Sequence, residues 1–219
     1  MSNEKIIRQL LKNVYSEKYP NSFIRDEFTH DSLNTRNDLF LVDDSIIISF
    51  EIKSDRDVLK RLRAQVQEYR TYSSLVVIAL DTKHMKKFQK DFKDLLYSNV
   101  TVLEYDGAFH IRHEGIADTF PNVAKFLWSE ELYLMRPRLP RKKKDEKRNL
   151  IYKDKSAITS HRILKLIYDE SILSQLAYSI FRKRLEIKTD YRQYKPQLTN
   201  NQCVTIEEHS QQYLNFLST

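Results

Sequence analysis

The apolar spacing of the chain changes twice between residues 46 and 80, and that double change restricts the fold more than any other feature. Ile46, Ile48, Phe50 and Ile52 alternate with Ile47, Ser49, Glu51 and Lys53, the period of a strand. From Arg56 to about Tyr72 the spacing turns helical, with Val58, Leu59, Leu62, Val66 and Tyr69 on one side. Residues 74–80 then read SLVVIAL, the unbroken apolar run of a strand covered on both faces. Helical spacing returns at roughly 83–96 and a strand follows in VTVLEY at 100–105. The strand–helix–strand order across 74–105 predicts a right-handed crossover and a mixed α/β sheet.

The flanking segments fit this frame. Ile6, Ile7, Leu10, Leu11 and Val14 give a helix over 4–14, and 37–53 read as two strands joined near Asp43-Asp44-Ser45. Asp106-Gly107 is a hairpin signal that turns the 100–105 strand into AFHIRH. A closing helix is expected over 120–134, with Pro121 in its first turn. The expected architecture is an α/β domain at 1–135, a basic linker at 136–149 and a helical C-terminal region at 150–219, with helices at 159–169, 171–187 and 205–217.

Composition removes whole classes of chemistry. The chain has 219 residues but only 2 glycines, where average usage would give about 15. With Gly107 and Gly115 alone, neither a P-loop nor a Rossmann fingerprint can be built. A single cysteine, Cys203, excludes an intramolecular disulfide framework and cysteine-rich zinc sites. There is no G-x-S-x-G elbow, no apolar run of membrane-spanning length, and no signal-peptide core in MSNEKIIRQLLK. The expectation is a soluble cytoplasmic protein with no membrane partner.

The net charge of +7 is unevenly spread. Residues 136–148 hold 8 basic and 2 acidic residues, and 150–219 hold 10 and 7, leaving 19 basic against 21 acidic in 1–135. The positive charge that a polyanion would meet therefore lies mainly beyond residue 135, which makes nucleic acid the leading partner.

The chemistry concentrates around residues 38–53. Glu51 and Lys53 share one face of their strand, and both are costly to leave in a partly buried sheet without a partner. A hairpin loop at 43–44 sets Asp38 opposite Ser49; a loop at 44–45 sets it opposite Glu51. Either places Asp38 on the Glu51 face, whereas a one-residue slip flips it away. Two carboxylates and a lysine so converged can hold a hard divalent cation and orient a water. The plainer alternative is a half-exposed strand with solvated Glu51 and Lys53. On a helical wheel Gln65 falls inside the apolar stripe between Leu62 and Tyr69, where a buried amide demands partners. Gln65 and Tyr69, at i and i+4, would point together toward the active strand.

Asp38 followed by Glu51-Ile52-Lys53 resembles the D…(D/E)-x-K signature of the PD-(D/E)XK nuclease superfamily. The fuller run R-N-D…E-I-K-S-D-R-D-V-L-K-R-L-x-x-Q-x-x-x-Y resembles its RecB-like branch, and more closely its small bacterial and phage members. The resemblance covers about residues 24–80, and Asn37 replaces the proline of the signature. It implies a restriction-endonuclease-like core, Asp38 and Glu51 as ligands of Mg²⁺ or Mn²⁺, and Lys53 as the catalytic lysine. It further implies Glu27 as an upstream helical acidic ligand, and Gln65 and Tyr69 as the downstream Q-x-x-x-Y motif.

Other residues have plainer readings beside their functional ones. Glu27 lies in FIRDEFTHDS with Asp26 and Asp31 as competitors, and an ordinary helix surface accounts for it equally well. Arg36 can contact phosphate or pair with Asp38 or Glu51. Asp55 or Asp57 suits a helix N-cap, and Asp43 and Asp44 suit a turn. His110 and His113 face opposite sides of a strand and so share no ion; His30 lies near the site. Arg141, Lys142, Lys143 and Lys144 of the linker, with Arg182 and Arg184 beside Tyr191 and Tyr194, are the expected nucleic-acid contacts; a solvated linker or a localisation-like signal accounts for the first group, and an amphipathic helix end with core tyrosines accounts equally well for the second. The expected function is a Mg²⁺- or Mn²⁺-dependent nuclease hydrolysing phosphodiester bonds in DNA, with RNA, a homodimer and a protein partner through 150–219 left open. The alternative is a catalytically inactive nuclease-like scaffold that binds DNA or protein as a phage-encoded accessory or inhibitor.

Overall fold

The computed structural model describes residues 3–29, 34–43, 46–118, 126–127, 129–136, 164, 168–186, 202, 205–206 and 208. The chain divides into two compact units, Met1–Asn122 and Val123–Thr219.

The first unit is built on one six-stranded sheet whose strands lie in chain order. They are β1 (Phe23–Phe28), β2 (Asn37–Val42), β3 (Ile47–Lys53), β4 (Leu75–Asp81), β5 (Val100–Tyr105) and β6 (Phe109–His113). β3–β4 and β4–β5 pair parallel, while the three outer pairs are antiparallel, so the sheet is mixed. The two parallel pairs are the ones bridged by helices, α2 (Leu62–Tyr69) and α3 (Thr82–Asp91). Single 3₁₀ turns, Leu59–Arg61 before α2 and Lys93–Leu95 after α3, take up the rest of the expected helices.

Helix α1 (Asn3–Lys18) buries Ile7, Leu11 and Tyr15, one per turn. They pack on Leu39, Leu41, Ile48, Phe50 and Ile52, so α1 covers the face formed by one alternation of β3. Each such side chain contributes roughly 1.5–3 kcal/mol when withdrawn from water. The other alternation, Ile47, Ser49, Glu51 and Lys53, is buried as well, and β3 carries no exposed residue.

The segment around Glu27 is not helical: it is β1, an edge strand whose Asp26 and Glu27 are exposed. FIRDEF lacks a clean alternation because an edge strand has one partner only and uses charge to discourage another. Asp57 does not cap a helix; its carboxylate accepts the Ser54 N–H at 2.8 Å and the Ser54 hydroxyl at 2.6 Å, closing the turn after β3. Gly107 turns β5 into β6 with φ +114°, a conformation that favours glycine.

In the second unit, α4 (Ser129–Leu134) and α5 (Glu170–Glu186) are the longer described helices. Asp169 Oδ1 accepts the Ile172 N–H at 2.9 Å and caps α5. Phe126 stacks on Phe181 with centroids 4.9 Å apart, and Tyr168 donates to the Met135 carbonyl at 2.8 Å. The helices expected at 159–169 and 205–217 fall mostly outside the described residues.

Candidate active site

The β2–β3 ladder runs from Val42–Ile47 to Leu39–Phe50. Asp43 donates its N–H to the Ile46 carbonyl at 2.9 Å, which is the register that sets Asp38 across from Glu51. Beyond Leu39–Phe50 the strands fork. β3 still pairs with β4 through Glu51–Ile78, Ile52–Ala79 and Lys53–Leu80, but its other edge has lost β2. The Ile52 N–H on that edge is taken up by Asp38 Oδ2 at 2.7 Å. A backbone donor with no ladder partner thus fixes the carboxylate at the fork.

Glu51 is 1% and Lys53 is 6% exposed, which removes the solvated-strand alternative. Lys53 Nζ pairs with Glu51 Oε1 and lies 3.3 Å from Gln65 Oε1. The Tyr69 hydroxyl lies 2.8 Å from Glu51 Oε2 and 2.7 Å from the Arg36 carbonyl oxygen. Gln65 and Tyr69 come from successive turns of α2, which lays them over the Glu51 face of β3. Around them Tyr72 bonds Asn37 at 3.1 Å, and the Ser49 and Ser73 hydroxyls meet at 2.6 Å. Residues that form a continuous polar seam inside a sheet–helix interface hold one another in place.

The electrostatics follow from this enclosure. Burial pushes the Glu51 carboxyl up to about 7, and the Asp38 charge adds to it; Lys53 and Tyr69 act in the opposite direction. Burial also raises Asp38, against the Ile52 N–H and the Lys53 and Arg8 charges. Burial and the neighbouring Glu51 raise the Tyr69 phenol, so it stays protonated and donates.

Glu4 and Arg8 were not anticipated from sequence. Both sit on α1; Arg8 pairs with Glu4 at 2.6 Å and donates to the Asp38 carbonyl. The Glu4 charge reaches Asp38 and raises it further. The signal available was Glu4 in the first turn of the 4–14 helix, but only docking of α1 shows what it meets.

Glu27 does not join the cluster. It lies on β1 at φ +51° rather than on a helix, and its carboxylate faces Arg36 at 3.3 Å, both side chains being more than half exposed. Arg36 is accordingly a surface cation beside the site, linked to it through its own carbonyl and Tyr69. Arg184 is not a surface contact: it is 3% exposed, pairs with Glu131 at 2.8 Å and donates to the Phe126 carbonyl. Its basic neighbours suggest a surface position, yet α5 turns it into the interior of its own unit. Arg182 is half-buried. Arg141, Lys142, Lys143 and Lys144 lie outside the described residues, as do His30, Asp31, Asp44, Tyr191 and Tyr194. His110 and His113 have separate partners, Asp106 and the Tyr97 carbonyl.

Among the described residues no group of three or more His, Cys, Asp or Glu is gathered closely enough to hold a metal by itself. Asp38 and Glu51 nevertheless fit a hard cation. They are two carboxylates on one face, Glu51 buried and Asp38 half-buried, and the Asp38 charge raises the proton affinity of Glu51. Magnesium is commonly held by one or two carboxylates, with waters and substrate phosphates completing its shell.

Fold and site together define an α/β protein with a buried carboxylate–lysine centre at the fork of a mixed sheet. The chain belongs to the bacteriophage P4 protein cII family, whose model matches residues 1–208, and this places it in a phage context. No curated protein matches it. Among solved structures it is similar to the SPO1766 protein of unknown function from Silicibacter pomeroyi, with 17% identity and a TM-score of 0.32 over 69% of this chain and 83% of that one. No helix among the described residues is long and apolar enough to cross a membrane.

Proposed function

We propose that the chain is a divalent-metal-dependent nuclease, Mg²⁺ or Mn²⁺ being the cation and phosphodiester bonds in DNA the substrate, acting in the cytoplasm of an infected cell. The observation that carries this reading is the Asp38–Glu51–Lys53 cluster, with Glu51 and Lys53 buried, Asp38 half-buried, and Gln65 and Tyr69 bracing it from α2. The buried Glu51 carboxylate and Lys53 ammonium cost several kcal/mol per ion in desolvation, and apolar residues of similar size often stabilise a fold as well or better. The presence of all three together therefore favours chemistry over architecture.

Asp38 and Glu51 would hold the cation. A cation bound there would supply Lewis acidity to the scissile phosphate and make a bound water more acidic. Lys53 Nζ, steadied by Gln65, donates to the attacking water or to a phosphate oxygen, where negative charge grows as the phosphorus is attacked. Tyr69 Oη holds the Glu51 carboxylate in orientation.

The second reading is a binding scaffold without catalysis, and one observation favours it: both Glu51 oxygens already have partners, Lys53 and Tyr69. Incubation of labelled linear duplex, single-stranded and closed circular DNA with Mg²⁺, Mn²⁺ or chelator separates the two. Metal-dependent cutting that disappears in Glu51→Gln supports the nuclease. Binding with no cutting under any condition supports the scaffold.

A further inference from the structure

Charge in the first unit is polarised around the site. Residues 54–93 hold 10 basic and 5 acidic residues, while the remainder of Met1–Asn122 holds 8 basic and 14 acidic. Much of the excess is ordered on α3. His84, Met85 and Phe88 form its buried side, and Lys83, Lys86, Lys87 and Lys90 are exposed. Those four stand at i, i+3, i+4 and i+7, a single stripe along the helix.

Like charges at i,i+3 and i,i+4 destabilise a helix, and this stripe contains four such pairs. Only Lys87 has an acidic partner among the described residues, Asp91 at 3.9 Å. Salt screens part of the remaining repulsion, and a ligand that brings several negative charges in a row relieves it more fully.

The stripe also begins beside the active centre. β4 pairs Leu80 with Lys53 and runs directly into α3 at Asp81. The His84 ring nitrogen lies 2.8 Å from the carbonyl oxygen of Ser54, the residue after Lys53. At the other end, Arg63 of α2 bonds the Asp91 carbonyl at 2.9 Å and Asp94 at 2.8 Å, fixing α3 against α2.

We propose that the Lys83–Lys86–Lys87–Lys90 stripe of α3 is a docking surface for the phosphodiester backbone of duplex DNA, which it leads toward Lys53. From Lys83 to Lys90 the helix rises about 10 Å, the axial span of roughly three phosphates along one strand of a duplex. The aromatic rings of this segment, Phe88 and Phe92, are buried, so the surface lacks the stacking platforms that grip single strands. The choice of DNA over RNA rests on the nuclease reading; the backbone contact itself does not.

Fluorescence anisotropy of the full chain with a labelled 30-base-pair DNA duplex, in chelator and over a salt series, tests this. For the unaltered protein the logarithm of affinity should fall with the logarithm of salt. In Lys83→Gln/Lys86→Gln/Lys87→Gln/Lys90→Gln the slope should flatten by about 3 to 4 and the low-salt affinity should drop on the order of 100-fold. The corresponding Lys→Arg quadruple variant, which keeps the charge, should retain both. An unchanged slope in the Gln variant overturns the proposal, as does tighter binding of duplex RNA or single-stranded DNA of equal length. Failure of the unaltered protein to bind duplex DNA at low salt overturns it too. Because binding is read without metal, loss of cleavage in Glu51→Gln with this binding retained bears on catalysis alone.

Discussion

Asp38 Oδ2 accepts the backbone N–H of Ile52 at 2.7 Å, at the point where β2 and β3 part. The same carboxylate that answers an orphaned backbone donor is thereby aimed along the face that carries Glu51 and Lys53. Structure and chemistry can be separated here by substitution. Asp38→Asn keeps an acceptor and should fold with stability within about 1 kcal/mol of the parent, while losing metal-dependent cleavage. Asp38→Ala leaves the N–H buried and unpaired and should cost about 1–3 kcal/mol by urea unfolding. Equal stability of the two variants would remove the bond from the account.

Glu51 makes stability depend on pH in a definite direction. Its carboxyl is raised from 4.5 to about 7 in the folded chain, so the folded state holds a proton there that the unfolded state releases. This contribution is fully present below pH 4.5 and is lost as pH rises through about 7, a change on the order of 3 kcal/mol. Asp38 shifts in the same direction. Denaturation in chelator at pH 5, 6, 7 and 8 should show Glu51→Gln gaining on the parent as pH rises; a constant difference would mean that Glu51 titrates normally.

Metal should stabilise the chain where both carboxylates are intact. At a Mg²⁺ or Mn²⁺ concentration ten times the Kd, the gain is about 1.4 kcal/mol, seen as an increase of roughly 3–6 °C in the melting temperature of the first unit. Asp38→Asn and Glu51→Gln should show no such increase. A shift of equal size in all three proteins would place the metal elsewhere.

Tyr69 has one phenolic proton between two acceptors, Glu51 and the Arg36 carbonyl. Tyr69→Phe should destabilise by about 1–2 kcal/mol. It also removes a bond to the charged form of Glu51, so the Glu51 carboxyl should rise and the acid limb of a cleavage pH profile should move to higher pH. A loss of stability with an unmoved acid limb would reduce Tyr69 to a packing residue.

Gly115 is needed for close approach rather than for a turn. A Cβ there would lie 2.6 Å from the Val100 backbone carbon. Gly115→Ala should cost about 1–3 kcal/mol, readable as a lowered melting temperature. An unchanged melting temperature would show that this segment yields at little cost.

Much of the sheet and part of the site could be read from local pattern. The alternation of 46–53, the helical spacing after it and the apolar run 74–80 are short-range regularities, and they led to β3, α2 and β4 in a mixed sheet. The position of Gln65 inside the α2 stripe marked it as buried with partners, and Lys53 and Glu51 are the groups that α2 reaches. β1 escaped this reading because an edge strand of alternating charge has no period-2 apolar signal. Arg184 escaped it because sign and spacing of charge do not reveal whether a helix face turns inward onto Glu131.

Parity along β3 is a property of the chain: side chains two apart share a face however the rest folds, so Glu51 and Lys53 were bound to lie together. Asp38 is different. Hairpin loops at 43–44 or 44–45 were equally compatible with the residues, and the choice falls to the Leu39–Phe50 register. Tertiary packing likewise decided that Glu51 and Lys53 are buried, that Glu4 and Arg8 of α1 act on Asp38, and that Glu27 turns to Arg36 instead. Local spacing fixes the direction of a side chain relative to its own element; what it meets depends on contacts between segments far apart in the chain, which packing alone selects.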